Sequence, residues 1–168
     1  MTRSDPAAGD ERLARGLEQR RRVLGGTHVE HALQRASAVD APFQAHITRA
    51  VWGDVWGRET LALRERRLLT LALLAALGHE GELALHVRAA VTDGVEPHEI
   101  AEVMLHTSVY AGVPAANSAL ATVRSVLSEM GHPDAEALGD PARVLADEPR
   151  SGDDRSGEGT MEGNERHD

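Results

Sequence analysis

The chain has 168 residues, a formal net charge of −9 and no cysteine. That length supports one domain with a real core, and the acidic balance argues against a nucleic-acid binder, which carries a basic face. The missing cysteine excludes disulfides, thiol nucleophiles and cysteine-based metal sites.

The apolar residues are mostly Leu, Ala and Val, and aromatics make up only 2% of the chain, which favours an all-α fold over a sandwich or barrel. Met1 to Asp10 reads as a flexible N-terminus, and its stretch MTRSDPAAGD and the residues after it hold no apolar signal core. From Glu11 to Leu24 the pattern is helical, with Leu13, Leu17 and Leu24 on a charged background. Gly25-Gly26 breaks it, and His28 to Ala38 forms a second short helix. Pro42 opens a third, running through Phe43, Ile47, Ala50 and Val51 towards Trp56. Gly57 to Leu63 is a connection.

A strong helix follows from Leu63 to Leu77, apolar on nearly all sides after Arg64 to Arg67, as expected for a helix buried in a core or an oligomer interface. Its run Leu68 to Leu77 is the longest apolar stretch and too short for a bilayer, so no membrane partner is expected and the location is expected to be cytoplasmic. Gly78 is its natural stop. The next helix runs from Glu80 to Val91 and ends at Asp93-Gly94. Glu96-Pro97 opens another, with Ile100, Val103, Met104 and Thr107 as its inner stripe. After the turn Gly112-Val113-Pro114, the last clear helix spans Pro114 to Met130. No segment shows the period-two alternation of a strand. The folded domain is therefore 11–131, of six or seven helices, and 132–168 is an acidic, Gly- and Pro-rich tail expected to be disordered.

The stretch HEGELALHVRAA, residues 79–90, gathers His79, Glu80, Glu82 and His86 at the mouth of an apolar helix. Glu82 and His86 are four apart and share a helix face. A carboxylate there orients the imidazole and raises its pKa, which suits a general acid or base. The same spacing also describes a surface pair, and acidic residues in a first turn are favoured by the helix dipole alone. His79, Glu82 and His86 together also match the ligand types of a zinc or iron site. His106 in VMLHTSVY is either a core histidine or a functional one, and Asn117 caps a turn as readily as it binds anything. Trp52 and Trp56, in VWGDVWGR, are four apart and by default pack in a core or interface. Arg49 and Arg58 flank them, and an arginine beside tryptophans can hold a carboxylate by a two-pronged hydrogen bond.

Three stretches, RRRVLGGTHVEHAL, FQAHITRAVWGDVWGR and LLTLALLAALGHEGELALHVRAAVTDGVEPHEIAEVMLHTSVYAGVPAAN, closely resemble the 4-carboxymuconolactone decarboxylases. The likeness spans about Glu18 to Glu129, and WGDVWGR places it with the decarboxylases proper within the all-helical alkylhydroperoxidase-D-like superfamily. The peroxidase branch carries a Cys-x-x-Cys pair where this chain has His79 and Glu82, followed by a histidine equivalent to His86, so without a thiol that chemistry is closed. Two departures stand out: family members often carry Arg at the position of His79, and many carry Pro at the position of Glu59.

The resemblance implies decarboxylation of 4-carboxymuconolactone to the 3-oxoadipate enol-lactone, in the protocatechuate branch of aromatic catabolism. No cofactor and no metal are implied, because the departing carboxylate is conjugated through a double bond to the lactone carbonyl, which receives the electrons. It further implies His86 as proton donor or as donor to the dienolate oxygen, with Glu82 orienting and charging it and His106 as a second candidate. Arg58 is the first choice for a carboxylate clamp, followed by Arg49 and Arg88, with Trp56 and His79 completing the substrate site. The implied partners are a small dicarboxylate lactone and further copies of the chain in a ring, as a homotrimer or homohexamer. Three other functions stay open: a different cofactor-free lactone or enolate enzyme on the same scaffold, separated by turnover on a panel of carboxylated lactones; a non-enzymatic helical assembly module, in which changing Glu82 and His86 costs little; and a metal-dependent enzyme using His79, Glu82 and His86, decided by elemental analysis with a chelator test.

Overall fold

A computed structural model describes residues 6–136, with side chains from Glu11 onward. The expected tail beyond Glu136 and the first five residues lie outside the described residues. Seven α-helices follow in order: α1 (Pro6–Leu24), α2 (Gly26–Gln34), α3 (Ala41–Ile47), α4 (Leu63–Leu77), α5 (Glu80–Thr92), α6 (Pro97–Ala111) and α7 (Val113–Glu129). A π-helical segment, Thr48–Trp56, continues directly from α3, and a 3₁₀ turn, Pro133–Ala135, follows α7. Among the described residues there is no strand, so the all-α expectation holds.

Helices α4 to α7 form the main core. Leu71 and Ala75 of α4 meet Leu83, Val87 and Ala90 of α5, Ile100 and Met104 of α6, and Ala119, Val123, Val126 and Leu127 of α7. The stripe expected on α6 faces inward: Ile100, Met104 and Thr107 are buried, with Val103 packed beside them. Glu96 begins α6 as expected, and its backbone N–H donates to the Glu99 carboxylate at 3.1 Å. At α4 the Ala62 N–H donates to the Glu65 carboxylate at 2.6 Å, and Gly78 ends the helix at φ 70°, in the left-handed region.

The largest differences from expectation fall at four boundaries. Helix α1 starts at Pro6 rather than Glu11, with proline at its first position and Ala7-Ala8 behind it, a good helix opening. Helix α2 ends at Gln34 instead of reaching Ala38, because the Asp40 carboxylate accepts from the Ser37 N–H at 2.7 Å and the Ser37 hydroxyl at 2.6 Å, a local turn that competes with the helix. The helix opened by Pro42 widens into π geometry at Thr48, whose hydroxyl donates to the Gln44 carbonyl at 2.7 Å. The packed unit also runs past Gly131, since Ala135 of the 3₁₀ turn rests against the main core.

The π segment lies along α1 at backbone contact. A Cβ on Gly16 would sit 1.9 Å from the Thr48 carbonyl oxygen, and one on Gly53 would sit 2.8 Å from the Arg12 carbonyl oxygen. Glycine at both positions is what permits this approach. The inner stripe of α1 is accordingly Gly16, Arg20 and Val23, while Leu13, Leu17 and Leu24 are only half-buried. Arg67 of α4 ties this layer to the main core. It is 2% exposed, donates to the Val23 carbonyl at 3.1 Å and pairs with Asp93 at 3.0 Å, joining α4 to the ends of α1 and α5.

Candidate active site

Two elements meet at His86. Helix α5 presents it inward alongside Leu83, Val87 and Ala90, so that it is only 9% exposed. The π segment lays Trp56 over it, with ring centroids 6.2 Å apart and planes at 23°. Trp52, buried, packs against Trp56 at 5.2 Å. His86 Nδ1 is buried and has no hydrogen-bond partner among the described residues. A buried polar atom left unsatisfied costs stability, and native proteins keep few of them.

The electrostatics overturn one expectation. Glu82 was expected to raise the His86 pKa, but the imidazole is instead pushed down to about 4, first by burial, then by the positive charge of Arg67, then by His28. Glu82 is exposed and makes no hydrogen bond to His86 among the described residues; its charge acts on Arg20 of α1. Helical spacing puts Glu82 and His86 on one side of α5, but the first points to solvent and the second into a layer with a buried guanidinium. Desolvation penalises the imidazolium, and the buried Arg67 guanidinium adds to the penalty.

His86 is therefore neutral at physiological pH. A group with a depressed folded pKa keeps its neutral form until pH falls through that value. Turnover limited by neutral His86 is thus expected to be level from neutral pH down to about pH 5 and to fall as pH approaches 4. Histidine titration by NMR together with kcat/KM over this range checks it; a midpoint near 6.5 would contradict the burial argument.

The other candidate residues separate into those brought to this place and those sent elsewhere. Trp56 is in it. Arg49, half-buried in the π segment, and Arg58, exposed just beyond it, pair with no acid among the described residues. Arg88 lies on the outer face of α5 and pairs with Glu129 of α7. His106 is exposed on α6, its ring 5.0 Å from Tyr110. His79 is exposed at the N-cap of α5. Among the described residues no three His, Asp or Glu side chains converge as a metal site, so His79, Glu82 and His86 do not form the ligand set their spacing allowed.

Residues 41–125 match the carboxymuconolactone decarboxylase family. The chain belongs to that family. It is 42% identical to the 4-carboxymuconolactone decarboxylase of Acinetobacter baylyi over 122 residues, which cover 73% of this chain and 91% of that protein. It is 38% identical to the nitrosuccinic acid decarboxylase npaB of Metarhizium robertsii over 131 residues, 76% of this chain and 92% of that protein. An uncharacterised 15.0 kDa protein of Paracoccus denitrificans is 33% identical over 104 residues, 60% of this chain and 78% of that protein.

Two buried arginines carry no role in the sequence reading: Arg20 and Arg67. The signal was positional: Arg67, Leu71 and Ala75 form one i, i+4, i+8 line, and Arg20 lies on the line of Gly16 and Val23. An arginine on an inward stripe points to a buried charge.

Proposed function

We propose that this chain decarboxylates 4-carboxymuconolactone to the 3-oxoadipate enol-lactone, a step of protocatechuate catabolism. The observation that carries the reading is the neutral, unpaired His86 beneath Trp56, in a chain 42% identical to a 4-carboxymuconolactone decarboxylase.

The chemistry asks for little more. The bond to the departing carboxylate breaks, CO₂ leaves, and the electron pair moves through the ring double bond onto the lactone carbonyl oxygen. One proton taken up at the α-carbon completes the product. A neutral imidazole has one N–H to donate, and a buried one that gives it to the carbonyl oxygen stabilises the dienolate as charge develops there. An imidazole kept neutral by its surroundings is well suited to that electrophilic role. Glu82, one turn away at the solvent side, relays the proton that reaches the α-carbon. Nitrosuccinic acid, by its name, also places a carboxylate next to an electron-accepting group, here a nitro group, and keeps a second carboxylate, so the two relatives pose the same demand.

The reading includes assembly of several chains, as a ring of three or six, and a cytoplasmic location. Supporting assembly, Leu69, Leu73 and Leu77 form an exposed line on α4, and Leu105, Val109, Tyr110 and Val113 are exposed at α6 and the start of α7. A monomer that left so much apolar surface in water would be prone to associate. Leu73→Glu is expected to yield a smaller species in sedimentation than the unaltered chain; equal sizes would count against the α4 face as an interface. Among the described residues no helix is long and apolar enough to cross a membrane.

The direct test is decay of 4-carboxymuconolactone, generated in situ, after adding chelator-treated protein. Accelerated loss with CO₂ release supports the reading and removes any need for a metal. Decay at the spontaneous rate sinks it.

A further inference from the structure

We propose that Arg20 binds the carboxylate that the substrate keeps, through a polar cradle of Gln44 and Thr48 set against the His86 site. The inference rests on the decarboxylase reading and names the substrate contact within it.

Arg20 is 5% exposed. Its Nη1 donates to the Gln44 side-chain oxygen at 2.9 Å and to the Thr48 hydroxyl at 3.4 Å, both neutral acceptors. Its Nε is buried and unpaired among the described residues. The other buried arginine, Arg67, has a carboxylate at 3.0 Å. On the surface, Arg12, Arg21, Arg64 and Arg88 each pair with an acid as well. Arg20 is thus a buried guanidinium with no carboxylate in hydrogen-bond contact. Burial holds its pKa below the usual arginine value, and only the charge of Glu82 opposes that. An uncompensated buried charge is costly and is ordinarily retained where something pairs with it.

The place is specific. Arg20 belongs to α1, its cradle to α3 and the π segment, and the π segment also carries the two tryptophans, one of which covers His86. Glu82, which senses Arg20, is one turn from His86 on α5. Of the three buried unpaired nitrogens among the described residues, Arg20 Nε, Arg66 Nε and His86 Nδ1, the first and last therefore belong to elements that pack together. A guanidinium whose buried Nε lacks an acceptor has an N–H left to donate to a carboxylate oxygen.

Of the two carboxylates, chemistry selects the retained one. The departing group loses its charge as it becomes CO₂. An arginine on it would stabilise the ground state more than the transition state and raise the barrier. On the retained carboxylate the same contact is equal in both states and serves binding alone.

The experiment measures KM and kcat for 4-carboxymuconolactone and the Ki of the freshly generated enol-lactone, which holds only the retained carboxylate. Arg20→Met is expected to raise KM and product Ki together, about ten- to a hundredfold, with kcat within a few-fold of the unaltered enzyme. Arg20→Lys is expected to recover part of that loss. Unchanged KM and Ki overturn the proposal. So does a raised KM with unchanged Ki, which would place Arg20 on the departing group, or a fall in kcat alone, which would mark a contact made only in the transition state. If the unaltered chain does not turn over 4-carboxymuconolactone, the decarboxylase reading fails on its own account. Arg20 is then judged by calorimetric titration with adipate, where binding lost in Arg20→Met supports it and equal binding, or none by the unaltered chain, refutes it.

Discussion

Replacing His86 with alanine is expected to lower kcat/KM for 4-carboxymuconolactone by about a hundred- to a thousandfold, the usual size of a lost donor to a developing oxyanion. The fold is expected to survive. His86 is neutral and makes no hydrogen bond through Nδ1 among the described residues, so no such bond is broken there, and the vacated volume lies against Trp56 at the edge of the main core. Circular dichroism and sedimentation of His86→Ala establish that the protein is intact before the kinetics are read. His86→Gln, which keeps a donor of similar reach, is expected to fall between the two. Activity within severalfold of the unaltered enzyme would remove His86 from the chemistry and leave the family fold without an assigned catalytic group. Because His86 is held neutral, activity in the unaltered enzyme depends on the unprotonated ring, and the low-pH decline is expected to disappear from whatever activity His86→Gln retains.

Gly16→Ala is expected to be the most damaging single-methyl change in the described chain. Helix propensity alone favours it, since alanine is better than glycine within a helix by about 1 kcal/mol. Packing reverses the sign. The new methyl carbon would lie 1.9 Å from the Thr48 carbonyl oxygen, which is backbone and has no rotamer to yield. The helix and the π segment must separate, and overpacking of that kind costs about 1–3 kcal/mol or more. The site moves with them, because Thr48 holds Arg20 and the same segment carries Trp52 and Trp56. Both the melting temperature and kcat/KM are therefore expected to drop. Gly81→Ala in α5 is the control: a Cβ there meets nothing within 4 Å, so propensity acts alone and a slight stabilisation is expected. If Gly16→Ala melts as high as Gly81→Ala, the α1–π contact is looser than this geometry.

Much of this protein was legible in its amino-acid order. Apolar residues recurring at helical spacing, with glycine and proline between them, mark α4 to α7 almost to the residue, because those helices bury their stripes against one another. The motifs around WGDVWGR and ELALHVRAA carried the family and brought Trp56 and His86 into view. What tertiary structure decided was everything that depends on the depth of a side chain. Spacing made Glu82 the partner of His86, but only packing showed that one is solvated and the other desolvated beside Arg67, which turns a raised pKa into a lowered one. Spacing likewise left the depth of Arg20 open, whereas the close contact of α1 with the π segment buries it. A one-dimensional pattern records which residues share a face; it does not record which faces meet, and the charge state of a buried group is set where they do.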